Sequence, residues 1–215
     1  MSWSLGEIEG LAKKATRGAG YSWGLAEEAG RATRWLCAMG LDGAAALAQV
    51  LAACDRAEPS MIRPARLAAP WAAPGGRLCP ISAGATLCDL AETLAAGEVI
   101  TLEDVIEPLL LYPFVAAAAE MTGTGLRLSY EGVTITRFER CSYLSAADPR
   151  RPLAALAEVA RADSAPRGLP VRRAWRGHIE PGDAARLGAM AHRTYAPDTE
   201  ASRLAGAGAG LTDND

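Results

Sequence analysis

The two histidines of the chain, His178 and His192, are the first candidates for acid–base chemistry. An imidazole acts as a general base when a carboxylate orients it, and Asp183 and Asp198 are candidates for that role. Two histidines brought together by the fold could also form half of a metal site. However, no H-x-H or H-E-x-x-H spacing is present, so we predict no metal site. The alternative is that both histidines are surface or half-buried residues without a function.

An arginine-rich stretch, RGLPVRRAWRGH, surrounds Trp175, and residues 171–179 within it are predicted to form a strand. In a strand, Arg172 and Arg176 lie on the same face, where two guanidinium groups could hold a carboxylate or a phosphate. The alternative is a solvated edge strand, whose charges hinder aggregation through the strand edge.

The closing stretch, residues 202–215, contains three glycines in five positions: Gly206, Gly208 and Gly210. A dinucleotide-binding turn needs G-x-G-x-x-G between a strand and a helix, and here the third glycine is out of register. One interpretation is a flexible tail, because small residues at chain ends favour disorder. The alternative is a loop that closes over a site, where Arg203 would hold an anionic substrate and Asp213 would act with the histidines.

Several chemistries are excluded by residue types that the chain lacks. Lys13 and Lys14 are the only lysines, and both are predicted on a solvated helix face, which disfavours Schiff-base chemistry. No lysine-containing phosphate loop and no G-x-S-x-G nucleophile turn occur. No cofactor is therefore predicted.

Five cysteines occur without a C-x-x-C pair: Cys37, Cys54, Cys79, Cys88 and Cys141. Their odd number and apolar neighbours indicate buried free thiols in a reducing compartment. The net charge of −3 gives no general attraction to nucleic acid or to an anionic membrane. The most apolar window, residues 105–119, is too short and too interrupted to span a bilayer. We therefore predict a cytoplasmic protein that binds neither nucleic acid nor membrane.

The elements that must position these residues begin with a helical lobe over residues 1–57. Ser4-Leu5-Gly6-Glu7 is a capping box, after which apolar residues recur at helical spacing to about Arg17. Ser22 is predicted to cap a second helix, and Asp42-Gly43 to open a third. Residues 58–76 contain four prolines and end on two glycines, which is typical of a connector.

Residues 77–196 are predicted to form a mixed α/β lobe, and residues 197–215 a tail or loop. The clearest strand signal is a hairpin, in which residues 126–130 and 133–137 alternate between apolar and polar types around Glu131-Gly132. The other predicted elements are strands over 77–84, 105–112 and 171–179, and helices over 86–97, over 152–162 and from about residue 181. The expected fold class is α+β, with a mixed, partly antiparallel sheet.

Two family resemblances bear on these residues. SLGEIEGLAKKATRGAGYSWGLAEEAGRATRWL and the closing EASRLAGAGAG resemble an uncharacterised bacterial family, mostly proteobacterial, known only as a domain of unknown function. That resemblance implies no activity. The first fifty or so residues resemble the opening helices of the malate/L-lactate dehydrogenase family that lacks the Rossmann domain. In that family, the turn that corresponds to Gly40-Leu41-Asp42-Gly43 is followed by a serine-histidine-glycine triplet, which supplies a catalytic histidine. In this chain Gly43 is followed by three alanines, so the resemblance does not imply dehydrogenase activity.

The scarcity of reactive side chains and the alanine-rich faces lead to one main hypothesis. The chain is expected to be an auxiliary, non-catalytic subunit of a metabolic enzyme, and so part of a homo- or hetero-oligomer. One alternative is a small-molecule hydrolase or lyase that uses His178 and His192 with Asp198 or Asp213. A further alternative is an anion-binding sensor that uses the arginine-rich strand.

Overall fold

The computed structural model describes residues 2–195, and it opens with three helices where the sequence predicts them. Helix α1 spans Leu5–Gly18, α2 spans Trp23–Ala38 and α3 spans Gly43–Ala53. Both halves of the predicted capping box form at α1. The amide of Ser4 donates to Glu7 Oε2 at 2.8 Å, and the amide of Glu7 donates to Ser4 Oγ at 3.2 Å.

The connector over residues 58–76 holds the short helix α4 (Pro59–Ile62) and then runs along the edge of the main sheet. Its Trp71 is fully buried. The Trp71 amide donates to the carbonyl of Thr101, and its carbonyl accepts from the amide of Glu103. The connector is therefore attached to the sheet, and the division of the chain into lobes stays a prediction.

Residues 77–84 do not form the predicted strand. Helix α5 spans Pro80–Asp89 and α6 spans Ala91–Ala95, so the helix predicted over 86–97 begins earlier and is divided in two. Proline suits the first position of a helix because its fixed φ is helical and its missing amide hydrogen has no partner to lose there. Pro80 therefore starts α5 directly after Cys79.

Five strands form the main sheet, which is antiparallel throughout and has the order β2-β6-β3-β4-β5. Following the short N-terminal strand β1 (Ser2–Ser4), they are β2 (Ile100–Ile106), β3 (Leu126–Tyr130), β4 (Val133–Phe138), β5 (Cys141–Leu144) and β6 (Leu153–Arg161). The predicted hairpin is confirmed, since Tyr130 pairs with Val133 across Glu131 and Gly132. Both turn residues have positive φ, as a two-residue hairpin turn requires. The fold class is α+β, as predicted.

Residues 152–162 contain strand β6 rather than the predicted helix. Leu153, Leu156, Ala157 and Ala160 recur at the spacing of a helix, and alanine favours helices, which explains the wrong prediction. In the fold, β6 is a central strand that pairs with β2 on one side and with β3 on the other. Two ladders of backbone hydrogen bonds outweigh a propensity of a few tenths of a kcal/mol per residue.

The strand predicted over residues 105–112 ends at Ile106, where β2 stops. Glu107 has a left-handed backbone with φ of 41°, which an extended strand does not allow. A 3-10 turn (Pro108–Leu111) and helix α7 (Tyr112–Thr122) follow. The apolar residues 105–112 are therefore buried, as predicted. However, after β2 ends at Ile106 they form helical turns and not a strand.

The C-terminal elements return the chain to the first helices. Strand β7 (Arg176–His178) pairs with β1, and helix α8 (Pro181–His192) packs against α1. The packing is close, because a Cβ added to Gly18 would lie 1.8 Å from the carbonyl oxygen of Met190. The last helix is thus confirmed, whereas the strand predicted over 171–179 covers three residues. Over residues 2–195, no helix has the length and apolar character needed to cross a membrane.

Candidate functional site

A cleft beside β7 contains two of the residues that the sequence singles out. It has a volume of about 510 Å³ and lies between β7 and the turn that joins α2 to α3. The pairing of β1 with β7 places Ser2 opposite His178. We call this the β7 cleft; its lining residues are Ser2, Cys37, Gly40, Leu41, Asp42, Arg176, Gly177 and His178.

His178 is exposed at the cleft, and its Nε2 lies 2.7 Å from Glu180 Oε1. This hydrogen bond lowers the pKa of Glu180, so the carboxylate is available as a partner for the imidazole. Glu180, which the sequence analysis does not name, is thus the carboxylate beside His178, and the orienting roles predicted for Asp183 and Asp198 stay predictions. The pair could relay a proton at the cleft.

Arg176 also faces this cleft, but it bonds to Ser2. Its Nε donates to Ser2 Oγ at 2.8 Å and its Nη2 donates to the Ser2 carbonyl at 3.1 Å. Arg172 is exposed and precedes the strand, since β7 begins at Arg176. The shared strand face predicted for the two arginines is thus wrong, and anion binding by them stays a prediction.

The two histidines lie at opposite ends of α8. His178 precedes the helix and His192 is its last residue, so the rise of the helix alone separates them by about 16 Å. The ring of His192 packs edge-on against Tyr195, with 5.5 Å between ring centroids. The fold therefore does not bring them together as one catalytic pair. Within residues 2–195, no three histidine, cysteine or acidic residues are grouped to hold a metal ion.

Six predicted site residues lie outside the described residues: Asp198, Arg203, Gly206, Gly208, Gly210 and Asp213. Their roles in catalysis or in ligand binding stay predictions.

A buried ion pair, which the sequence analysis did not identify, lies near the β7 cleft. The carboxylate of Glu107 is fully buried and accepts two hydrogen bonds from Arg150, from Nη2 at 2.6 Å and from Nε at 3.4 Å. The guanidinium also reaches Asp42 and Gln49, at 3.4 and 3.3 Å. Burial raises the pKa of Glu107, and Arg150 opposes that rise. Arg150 thus connects the segment before β6 to the end of β2 through Glu107, and to the α2–α3 turn through Asp42.

A second buried cluster consists of Tyr21, Cys54 and Cys79, which we call the thiol cluster. Tyr21 Oη lies 3.2 Å from Cys79 Sγ. Burial opposes ionisation of Cys79, but the neighbouring Cys54 and Tyr21 side chains lower the pKa of its thiol. The neighbouring Cys79 and burial raise the pKa of Cys54.

The predicted burial of the cysteines is confirmed for three of the five. Cys37, Cys54 and Cys79 are buried, whereas Cys88 and Cys141 are half-buried. All five are free thiols. No sequence motif marks the thiol cluster, because its two cysteines lie 25 positions apart. The only local signal is the Cys-Pro step at residues 79–80, which is compatible with a helix start.

The segment before β7 presents two large apolar side chains to solvent. Leu169 and Trp175 are each 93% exposed. Two backbone hydrogen bonds attach the segment to the fold, from the Val171 amide to the Ser142 carbonyl at 2.8 Å and from the Ala174 amide to the Ala38 carbonyl at 2.6 Å. We call residues 169–175 the apolar segment.

Comparison with known proteins gives a match over the N-terminal part of the chain. A family model described as "Protein of unknown function (DUF3726)" matches residues 3–79. This agrees with the resemblance of that part to an uncharacterised family. The bacterial origin and the resemblance to the malate/L-lactate dehydrogenase opening stay predictions. No curated protein matches the chain. No solved structure matches it either.

Proposed function

We propose that this protein is an auxiliary, non-catalytic subunit that binds a cytoplasmic metabolic enzyme through its apolar segment. The observation that carries the proposal is the near-complete exposure of Leu169 and Trp175 on a segment that is hydrogen-bonded to the fold. Large apolar side chains are costly to leave in water, and tryptophan is enriched among the residues that dominate binding energy at protein interfaces.

The attachment of the apolar segment supports the same role. Val171 is bonded to strand β5 and Ala174 to the end of α2, so the backbone between Leu169 and Trp175 is constrained. A constrained segment loses less conformational entropy on binding than a free loop does. The two side chains can therefore fill pockets on a partner at a lower entropic cost.

The separation of the predicted catalytic groups also favours a binding role. His178 and His192 lie at opposite ends of α8, and His192 packs on Tyr195. Arg176 is bonded to Ser2 at the N-terminal strand. These side chains make contacts that stabilise the fold, as expected of residues outside a catalytic centre.

The test begins with the identification of the partner. A photo-cross-linking amino acid in place of the exposed Arg173, next to Trp175, captures the bound protein in native cells, and mass spectrometry identifies it. The captured enzyme is then purified, and its dissociation constant for the full chain is measured by calorimetry. Trp175→Ala is expected to weaken binding by roughly 30-fold, because truncating a central aromatic side chain costs about 2 kcal/mol.

Trp23→Ala is the matched control. Trp23 is also exposed, but it lies at the start of α2 and its ring contacts the guanidinium of Arg17 at 4.6 Å. This variant is expected to bind as the wild type does. Equal affinities for wild type and Trp175→Ala, or no captured enzyme, contradict the proposal.

A second candidate function is the binding of a small anion in the β7 cleft, as a sensor or as an enzyme. It is favoured by the presence of Arg176 and His178 in one cleft. Phosphate or sulfate is then expected to raise the melting temperature by about 3 °C over sodium chloride of equal ionic strength. Arg176→Gln should abolish that rise, whereas Arg186→Gln, which alters an exposed arginine on α8, should not.

The enzyme form of this candidate is a hydrolase or lyase that uses His178 in the cleft, because the fold places His192 at the other end of α8. His178→Ala is expected to reduce turnover of any substrate that the protein is found to convert, and unchanged turnover removes His178 from the mechanism.

A further inference from the structure

A pocket lies beside the edge strand β5, on the face of the main sheet that points away from α7, which packs against β3 and β4. Its volume is about 320 Å³. Strands β4 and β5 form one wall, and the loop over residues 166–169 forms the other. We call it the β5 pocket; its walls include Thr134, Thr136, Tyr143, Ser145, Arg167 and Leu169.

The strand wall of the β5 pocket presents hydroxyl groups. Side chains alternate between the two faces of a strand, and Val133 and Ile135 belong to the core. Thr134 and Thr136 therefore lie on the opposite face of β4. In the ladder between β4 and β5, Thr136 pairs with Tyr143, and residues that pair directly share a face. The Tyr143 side chain therefore lies beside Thr136 on the same wall.

Two of these hydroxyl groups are not used by the fold. Thr136 is only 4% exposed, yet its hydroxyl forms no hydrogen bond with a described residue, and neither does that of Tyr143. In contrast, Thr134 Oγ1 lies 3.3 Å from Ser129 Oγ, and Ser145 Oγ accepts from the Thr134 amide at 2.8 Å. Buried polar groups are normally hydrogen-bonded. The partner expected for Thr136 is therefore a water molecule or a ligand atom inside the pocket.

The loop wall supplies a positive charge. Arg167 is the only charged residue among the described residues that line the pocket, and its guanidinium forms no hydrogen bond or ion pair with them or with the rest of residues 2–195. The loop turns at Gly168, whose φ of 127° favours glycine. The hydrogen bond from the Val171 amide to the Ser142 carbonyl attaches this part of the chain to β5. Arg167 therefore lies beside the hydroxyl wall with donors that no described residue uses.

We propose that the β5 pocket binds a small organic monocarboxylate. The planar guanidinium of Arg167 donates to both carboxylate oxygens, and Thr136 and Tyr143 donate to polar groups of the ligand. One cation balances one negative charge, whereas a phosphate ester carries about −1.5 to −2 charges at pH 7. Leu169 and the Tyr143 ring contact the carbon atoms of the ligand. The volume equals about ten water molecules at roughly 30 Å³ each, which suits a ligand of about ten non-hydrogen atoms.

The β5 pocket differs from the β7 cleft in the contacts of its arginine. In the cleft, Arg176 donates two hydrogen bonds to Ser2, and Asp42 adds a negative charge. An anion in the cleft has to share those donors and lie near a carboxylate. In the β5 pocket, no described lining residue is negatively charged. Trp175, on which partner binding is tested, is not one of its lining residues either.

The experiment titrates the isotope-labelled full chain with the sodium salts of acetate, gluconate and 4-hydroxybenzoate and follows the amide resonances by NMR. With at least one salt we expect saturable shifts and a dissociation constant of about 1 mM, the order expected of a ligand with about ten non-hydrogen atoms. The shifts should concentrate on residues 134–136, 143–145 and 167–169. Sodium chloride at equal ionic strength should leave these amides unchanged. Neutral 4-hydroxybenzamide should bind at least about tenfold more weakly than the acid.

Three variants test the named contacts. Arg167→Gln should weaken binding by about tenfold, because it removes the charge and the paired donors. Thr136→Val keeps the shape of the side chain and should weaken binding by about fivefold through the loss of one hydrogen bond. Arg172→Gln is the matched control and should bind as the wild type does, because Arg172 is exposed in the same part of the chain but does not line the pocket.

Three results would overturn the proposal. They are the absence of saturable shifts with all three salts, equal affinities for wild type and Arg167→Gln, and shifts confined to Arg176 and His178. The last result supports anion binding in the β7 cleft instead. Because partner binding is measured with Trp175→Ala, the failure of one proposal is distinguishable from the failure of the other.

Discussion

Replacement of Arg150 by methionine is expected to destabilise the fold by leaving the carboxylate of Glu107 buried without its cation. Glu107 is fully buried, and Arg150 supplies both hydrogen bonds that its side-chain oxygens receive from the described side chains. Methionine keeps the length and the apolar contacts of the arginine stem but removes the charge. The variant thus isolates the cost of the unpaired carboxylate.

The expected loss of folding free energy in Arg150→Met follows from how far Glu107 and Arg150 are exposed to water. Removing one partner of a buried ion pair costs about 3–5 kcal/mol, because the other charge stays desolvated. The Arg150 side chain is 28% exposed, so water reaches this site and the lower end, about 3 kcal/mol, applies. For a domain of this size the melting temperature should fall by roughly 6–12 °C.

The loss should depend on pH in a defined direction. Burial raises the pKa of Glu107, and Arg150 partly offsets that effect, so Arg150→Met raises the pKa further. With a raised pKa, the folded state keeps a proton that the unfolded state releases, so stability falls as the pH rises above the ordinary carboxyl range. The variant should therefore lose little stability near about pH 5 and most near about pH 8.

The assay is urea unfolding of the full chain at both pH values. Glu107→Gln/Arg150→Met removes both charges and should recover most of the loss at the higher pH. Arg127→Met is the control, because Arg127 pairs with Glu158 at 3.3 Å on the surface and its loss should cost less than about 1 kcal/mol. Equal losses at both pH values, or a double variant as unstable as Arg150→Met, would refute this reasoning.

Two further predictions concern helix α1. Gly18→Ala should lower the melting temperature by several degrees, since its Cβ would lie 1.8 Å from the Met190 carbonyl oxygen, whereas Gly10→Ala meets nothing within 4 Å and should stabilise α1 by about 0.5–1 kcal/mol. Calorimetry compares the two, and equal effects would contradict the close packing of α8. Ser4→Ala should cost about 1 kcal/mol in chemical unfolding because it removes the capping oxygen, and no change would show that this helix start needs no cap.

The parts of the fold that the sequence predicts well are those stabilised by local interactions. The capping box at Ser4 and Glu7 and the hairpin turn at Glu131 and Gly132 depend on residues within four positions of one another. Their physical causes, a side-chain cap and a backbone with positive φ, are visible in the residue types. The segment over residues 152–162 was mispredicted because its alanines favour a helix, and only pairing with two distant strands makes it a strand.

In the candidate sites, too, the residue types are visible in the sequence, whereas their contacts depend on the fold. The β7 cleft includes His178 and Arg176, which the sequence analysis selects, but their partners Glu180 and Ser2 follow from the local chain and from the β1–β7 pairing. The exposure of the apolar segment also depends on the fold, because the alternating apolar and polar residues of 169–175 do not show which side chains face solvent. Trp175 was expected on a strand face and instead lies outside β7.

The amino-acid sequence alone determined the three opening helices, the hairpin, the α+β class and the shortage of lysine and histidine that excludes several chemistries. The tertiary structure decided which distant residues meet: Glu107 with Arg150, and Cys79 with Tyr21. The physical reason is that a cap or a turn depends on neighbours in the chain, whereas burial, which shifts a pKa and strengthens a hydrogen bond, depends on elements that only the complete fold brings together.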